Sequence, residues 1–92
     1  MTVRFGENFE KDLKNLKKDY PKYATKVLEL IVVITKLPKN SLDGIGHPEK
    51  LKGSLEGTFS RRISQKHRLI YFYDDSETTV VLTGCSGHYD DK

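Results

Sequence analysis

The sequence has few of the residues that build disulfides and membrane spans. One cysteine in 92 residues excludes an intrachain disulfide and fits a reducing compartment. The longest uninterrupted apolar run, residues 30–34, is far shorter than the roughly 20 residues that a membrane-spanning helix needs. The N-terminus has no signal-peptide apolar core. The sequence therefore predicts a cytoplasmic protein that does not interact with a membrane.

Metal-binding patterns are missing as well. The three histidines and the single cysteine show no known metal-ligand spacing, which argues against a zinc site. A metal-dependent nuclease would need clustered carboxylates, and the sequence has no such cluster. We therefore predict no metal and no cofactor. The length and the nine aromatic residues predict one folded domain, residues 1–92.

Positive charge is present in excess and is unevenly distributed. Residues 11–26 contain six lysines and two acids, and residues 47–68 contain six Lys or Arg and two acids. The last nineteen residues contain five acids and one lysine. This distribution predicts a polyanionic partner that approaches from particular directions. For the lysines of residues 11–26, a solvated helix face is the favoured alternative.

The first half of the chain changes from a period of two to a period of 3.6. Thr2–Phe5 alternates as a short strand, and a helix is predicted from about Glu7. Pro21 suits the first turn of a second helix, and Pro38 ends it. The apolar stripe of the first helix is formed by Phe9, Leu13, Leu16 and Tyr20.

The second half is predicted to form strands at residues 51–55, 58–64, 67–74 and 78–85. The second and third strands form a hairpin. A two-residue turn would place Arg62 and Arg68 on opposite faces, whereas a three-residue loop, residues 64–66, pairs them on one face. A phosphate clamp requires both arginines on one face, so we predict the three-residue loop.

The basic segment, residues 46–68, contains the components of a phosphodiester-cleaving site. Glu49 stands among cations, which favour its ionised form and allow it to act as a base. Arg62 and Arg68 can hold phosphate oxygens bidentately. Arg61 is one residue out of phase and is expected to point away as a structural residue. The alternative for Glu49 is a surface ion pair of little energetic consequence.

Four motifs carry a family resemblance. They are Gly-x-Pro-Glu-x-Leu-Lys at 46–52, an aromatic-Ser-Arg-Arg-Ile strand at 59–63, His-Arg-Leu-Ile-Tyr at 67–71 and His-Tyr at 88–89. In this order they resemble the YoeB/Txe toxins, a branch of the RelE-like bacterial mRNA interferases. The resemblance covers most of the chain from about residue 20. It implies an α+β fold, in which two N-terminal helices pack on a twisted antiparallel β-sheet, the microbial-RNase-like fold of RelE toxins.

The resemblance also implies residue roles. Glu49 falls on the position of the general base, Arg68 on that of the catalytic arginine and His88 on that of the general acid. Tyr89 would stack on a base or orient the ribose. The phosphate contacts would be Lys50, Lys52 and Arg62.

The implied function is that of a toxin from a type II toxin–antitoxin system. Such a toxin is a metal-independent endoribonuclease that cleaves mRNA on the ribosome, and its partners are a YefM-like antitoxin and, in some assemblies, a second copy. The chain departs from the family at its end, where Ser86-Gly87 precede the His-Tyr pair and residues 90–92 follow it. His47 also stands where relatives usually carry lysine. The alternative is therefore a module of the same fold that binds antitoxin or RNA without cutting.

Overall fold

The computed structural model of the protein describes residues 1–74 and 78–86. Its elements, in chain order, are β1 Thr2–Phe5, α1 Glu7–Asp19, α2 Pro21–Lys36, β2 Glu49–Lys50, β3 Phe59–Arg62, β4 Arg68–Asp74 and β5 Thr79–Gly84. The strands form one sheet in the order β1-β5-β4-β3-β2. This architecture confirms the predicted α+β class, in which two helices precede most of the sheet.

The boundaries of the two helices follow local chemistry. Acidic residues occupy the first turn of α1 and lysines its last turn, in the direction that the helix dipole favours. Tyr20 closes α1, because its N–H donates to the carbonyl of Leu16 at 2.7 Å. Pro21 then opens α2, where a missing N–H costs nothing. Leu37 has an extended backbone, as expected for a residue before proline, and α2 ends there.

The hydrophobic core lies between the helices and one face of the sheet. The helices contribute Phe9 and Leu16 from α1 and Val27, Leu30 and Ile34 from α2. The sheet contributes buried side chains at alternate positions, which are Phe59, Leu69, Tyr71, Val80 and Leu82. Because side chains alternate across a strand, the intervening residues project to the opposite face, which we call the outer face.

The sheet is mixed, whereas the sequence predicted an antiparallel one. Strands β2 to β5 pair antiparallel, but β1 pairs parallel with β5, with Val3 opposite Val80 and Phe5 opposite Leu82. The alternation of four residues in β1 contains no information on direction. The chain between β1 and β5 contains both helices and strands β2 to β4, which is far longer than the crossover of about a dozen residues that a parallel pair requires.

The predicted edge strand at residues 51–55 is also wrong. The edge strand is the shorter β2, and Gly53–Leu55 forms a 3₁₀ turn. Gly53 has a φ value of +70°, which an extended strand does not contain. The N–H of Glu56 donates to the carbonyl of Gly53 and so closes the turn. Within residues 1–74 and 78–86, no helix has the length and apolarity needed to cross a membrane.

Candidate functional site

The β3–β4 hairpin places two arginines directly opposite each other. In its register Ser60 pairs with Ile70 and Arg62 pairs with Arg68. Directly opposed residues of an antiparallel pair project from the same face. The three-residue loop predicted from the sequence is confirmed, and both arginines belong to the outer face.

Glu49 joins the same face through the edge of the sheet. Strand β2 pairs with β3 so that Glu49 lies opposite Ser60. Arg62 is two residues beyond Ser60, so Glu49 and Arg62 are diagonal neighbours, a relation that separates Cα atoms by about 7–8 Å. Glu49 and Arg62 are exposed, and Arg68 is half-buried. The structure therefore brings three of the predicted site residues together on an accessible surface.

The start of β4 contacts the chain that follows β5. The backbone N–H of Arg68 donates to the carbonyl of Ser86 at 3.1 Å. The predicted general acid His88 and its neighbour Tyr89 lie outside the described residues. Their assignment to the site therefore remains a prediction from the sequence.

The hairpin loop is shaped by Ser64. Its hydroxyl oxygen accepts the backbone N–H groups of Lys66 and His67 and lies 3.0 Å from Nδ1 of the His67 ring. The His67 ring also contacts Tyr20 and Tyr23, with ring centroids 5.6 and 5.4 Å away. These contacts fix the loop length and attach the loop to the corner between α1 and α2. The loop length in turn sets the register that pairs the two site arginines.

Arg61 is fully buried on the helix side of the sheet. Its Nε donates to the hydroxyl of Tyr71 at 2.9 Å, and its Nη1 donates to the carbonyl of Ile45 at 2.8 Å. The prediction that Arg61 points away from the site is confirmed. Burial raises the pKa of Tyr71 above its usual value of 10.0, and the neighbouring Arg61 opposes that rise. The Tyr71 hydroxyl is therefore neutral at physiological pH.

The two lysines predicted to contact phosphate lie at the edge of the sheet. Lys50 pairs with Phe59, so the register assigns it to the face opposite Glu49. Lys50 and Lys52 line a shallow cleft together with Leu51, Glu56 and Gly57. Both lysines are exposed. The structure therefore groups them with each other, beside the outer face and not on it.

Ser60 also belongs to the outer face, although the sequence motifs did not indicate it as a site residue. It is only 1% exposed, and it lies on the outer face directly opposite Glu49. Among the described residues its hydroxyl has no hydrogen-bond partner. The sequence could have indicated Ser60 through the alternation of side chains along a strand, because Ser60 is two residues from Arg62 and therefore lies on the same face.

The arrangement on the outer face combines one carboxylate with two guanidinium groups. A carboxylate can accept a proton, and guanidinium groups can stabilise the negative charge that builds on a phosphate in a transition state. Within residues 1–74 and 78–86, no group of three His, Cys, Asp or Glu side chains is placed to hold a metal ion. The grouped side chains thus suit acid–base chemistry on a phosphodiester.

Comparison with protein families identifies relatives over nearly the whole chain. Residues 5–89 match the model of the YoeB-like toxin of bacterial type II toxin–antitoxin systems. A toxin named YoeB from Synechocystis is 40% identical over 65 residues, which are 70% of this chain and 73% of that protein. A toxin of the same name from Escherichia coli is 39% identical over 64 residues, which are 70% of each chain.

Solved structures of YoeB toxins are similar to this chain as well. A YoeB/ParE toxin from Agrobacterium tumefaciens is similar with a TM-score of 0.85 and 28% identity, over 97% of this chain and 100% of that one. The toxin in a heterotetrameric YoeB–YefM complex from Staphylococcus aureus is similar with a TM-score of 0.80 and 35% identity, over 97% and 98% of the two chains. The register of the outer face, the sheet order and these similarities agree: this chain belongs to the YoeB-like toxin family of bacterial type II toxin–antitoxin systems.

Proposed function

We propose that this toxin is a ribosome-dependent endoribonuclease that inhibits translation by cutting mRNA. The observation that carries the proposal is the grouping of Glu49, Arg62 and Arg68 on one accessible face of the sheet. A phosphate held by the two guanidinium groups would lie within reach of the carboxylate. The ribosome would supply the positioned mRNA, and the site of action would then be the cytoplasm.

The proposed reaction uses proton transfers between side chains and RNA. Glu49 removes the proton of a ribose 2′-OH, and this oxygen attacks the adjacent phosphorus atom. The bond from phosphorus to the 5′-oxygen of the next nucleotide then breaks, and His88 donates a proton to that oxygen. The products are a 2′,3′-cyclic phosphate end, or the 3′-phosphate that its hydrolysis yields, and a free 5′-hydroxyl.

The arginines contribute through the charge of the transition state. As the phosphorus becomes five-coordinate, negative charge grows on its non-bridging oxygens, and Arg62 and Arg68 stabilise it more than they stabilise the ground state. Lys50 and Lys52, at the edge of the sheet, would hold flanking phosphates of the RNA. Tyr89 would stack on a base or orient the ribose.

The expected partner is an antitoxin. A Staphylococcus aureus relative has been solved in complex with YefM and also as a dimer. We infer that a YefM-like antitoxin binds this toxin and covers or distorts the outer face, and that the toxin also forms a homodimer. The low hydrophobic fraction of 36% agrees with a chain that is stabilised further by a partner.

Glu49→Gln tests the proposal most directly, because it removes the base and keeps the shape of the side chain. Expression of the parent chain should arrest growth, and expression of the Glu49→Gln variant should not. Glu29→Gln is the matched control, since Glu29 is an exposed acid on helix α2 and belongs neither to the outer face nor to the cleft of Lys50 and Lys52. With purified ribosomes and a defined mRNA, Arg68→Ala should lower the cleavage rate by about 10²–10³-fold.

The second candidate function is binding without cleavage, which the altered residues around the His-Tyr pair favour. This alternative would be supported if the parent chain and its Glu49→Gln variant arrest growth equally and both leave the mRNA intact on purified ribosomes. Such a result would overturn the endoribonuclease proposal, and the membership of the toxin family would be unaffected.

A further inference from the structure

We infer that the buried Arg61 is a positioning residue for Glu49: its guanidinium anchors the loop of residues 37–48, which delivers Glu49 to the outer face. This inference rests on the proposed function, because it assigns Glu49 as the base. Arg61 is 0% exposed and contacts neither the outer face nor solvent. Its guanidinium can therefore affect the site only indirectly, and the contacts of that group with the loop offer a route.

The loop needs an anchor because the strand that follows it is short. Strand β2 consists of Glu49 and Lys50 alone, and it lies at the edge of the sheet with a neighbour on one side only. Two paired residues hold register weakly, and a slip by one residue would move Glu49 to the opposite face. After the strand, the N–H of Leu51 donates to the carbonyl of Thr58 at 2.9 Å, and before it the loop of residues 37–48 must hold the other side of Glu49.

Two consecutive residues of β3 hold two consecutive carbonyls of that chain. Nη1 of Arg61 donates to the carbonyl of Ile45 at 2.8 Å, and the backbone N–H of Arg62 donates to the carbonyl of Gly46 at 2.6 Å. Gly46 is three residues before Glu49. The same strand therefore fixes the end of the loop and then pairs with Glu49 through Ser60.

The guanidinium connects acceptors that are far apart in the sequence. Its Nε donates to the hydroxyl of Tyr71 in β4, while Nη2 lies 3.5 Å from the carbonyl of Ser41 at the far end of the loop. A planar guanidinium directs its five N–H donors outward in fixed directions, whereas lysine carries all its donors on one atom. Arg61 thereby connects the sheet interior to both ends of residues 41–45.

The loop backbone lies directly against the anchor. A Cβ added to Gly44 would be 3.2 Å from Nη1 of Arg61, and one added to Gly46 would be 3.0 Å from Cβ of Arg61. The loop also holds Asn40 and His47 with φ values of +68° and +47°, which are unfavourable for side-chain-bearing residues. Strained backbone of this kind persists only where surrounding contacts fix it.

The test compares Arg61→Lys, which keeps the charge and most of the stem, with Arg4→Lys on the exposed strand β1 as the matched control. In single-turnover cleavage on ribosomes, Arg61→Lys should lower the rate by about 10²-fold through misplacement of the base. The KM for mRNA should change by less than about threefold, because the phosphate contacts remain. Arg4→Lys should cut like the parent.

A double substitution separates positioning from a general loss of structure. If Arg61 acts through Glu49, adding Arg61→Lys to Glu49→Gln should lower the residual rate by less than about twofold. If Arg61→Lys lowers the cleavage rate of the Glu49→Gln variant by the same factor as that of the parent, the inference is overturned. Such a result would mean that Arg61 acts on the enzyme independently of Glu49. Tyr71→Phe removes one acceptor of the guanidinium and should give a smaller loss with the same non-additivity.

Hydrogen exchange tests the anchor without any activity. In Arg61→Lys the amides of residues 41–47, Glu49, Lys50 and Arg62 should exchange about tenfold faster or more, while the amide of Leu30 in α2 should exchange as in the parent. Unchanged exchange in residues 41–50 would overturn the inference. If the parent chain cuts no RNA, the proposed function fails, and the exchange measurement alone decides whether Arg61 anchors the loop.

Discussion

Arg62 and Arg68 lie directly opposite each other on β3 and β4, so two cations leave the sheet side by side on the outer face. Like charges at directly opposed positions destabilise a sheet by up to about 1 kcal/mol. Their presence on an accessible face agrees with a site that receives an anion, since a bound phosphate would remove the repulsion. Replacement of Arg62 should therefore change the stability and the activity of the protein in opposite directions.

Arg62→Thr should raise stability and lower activity. Threonine favours strands and removes the opposed charge, so the free energy of unfolding should increase by about 0.2–1 kcal/mol in urea titrations. Loss of a charge-assisted phosphate contact, about 1.5–3 kcal/mol, should slow mRNA cleavage by roughly 10–100-fold. Arg4→Thr is the control, because Arg4 pairs with Asp74 at the surface at 3.8 Å. This substitution should neither increase the free energy of unfolding nor slow cleavage. A destabilised Arg62→Thr variant would contradict the prediction.

RNA affinity should depend steeply on salt and should identify the phosphate contacts. In the Glu49→Gln background, in which cleavage is slow compared with binding, log K for a labelled single-stranded RNA should fall linearly with log of the salt concentration. Lys52→Gln or Arg62→Gln should each flatten that slope by about 0.7. Lys22→Gln on α2 is the control, since the helical lysines are interpreted as a solvated face, and it should leave the slope unchanged. Equal effects of all three substitutions would refute a localised RNA surface.

Gly46 and Gly57 form a matched pair for the loop before β2. Both have a φ value of +92°, so alanine is strained equally at either position. A Cβ at Gly46 would be 2.9 Å from Leu30, whereas a Cβ at Gly57 would meet nothing within 4 Å. Gly46→Ala should therefore lower the free energy of unfolding by about 1–3 kcal/mol more than Gly57→Ala. Equal losses of unfolding free energy in urea titrations would show that the loop accommodates the Cβ at Gly46 without further loss of stability.

Stability should fall at alkaline pH through the buried thiol. The pKa of Cys85 is raised from 9.0 to about 12. Burial is the larger cause, and the charge of the nearby Asp12 is the smaller one. Above pH 9 the unfolded chain loses this proton while the folded chain keeps it, so the unfolded state is favoured increasingly up to about pH 12. Burial also raises the pKa of Tyr71 and Tyr73, which adds an effect of the same sign above pH 10.

Urea titrations between about pH 8 and pH 11 check this dependence. The free energy of unfolding should decrease across the range, and Cys85→Ala should decrease less steeply from its own value at the start of the range. A thiol reagent should react with Cys85 in the folded protein at neutral pH only through unfolding, because the thiol is buried and protonated. Rapid labelling of the folded chain would contradict the assigned pKa.

The sequence by itself determined the two helices, the hairpin strands and the alternation of their side chains. Periodicity predicted α1 and α2 because burial of one helical stripe leaves a repeat of 3.6 that four to six apolar residues suffice to show. The sequence allowed a two-residue or a three-residue hairpin loop, and the requirement of a phosphate clamp selected the longer one, which fixes the register that pairs Arg62 with Arg68. The alternation of side chains along a strand then assigned Arg61 and Arg62 to opposite faces, and the structure buries Arg61.

The tertiary structure decided what depends on contacts between distant segments. Four residues of β1 contain no information on strand direction, so only the packed sheet shows that β1 runs parallel to β5. Residues 53–55 of the predicted strand 51–55 form a turn, because Gly53 adopts a positive φ and the pairing with β3 lies at Glu49 and Lys50. The acceptors of Arg61 are carbonyls sixteen and twenty residues away, and backbone carbonyls have no signature in a sequence. The anchoring of the loop before Glu49 by a buried cation was therefore visible only in the folded chain.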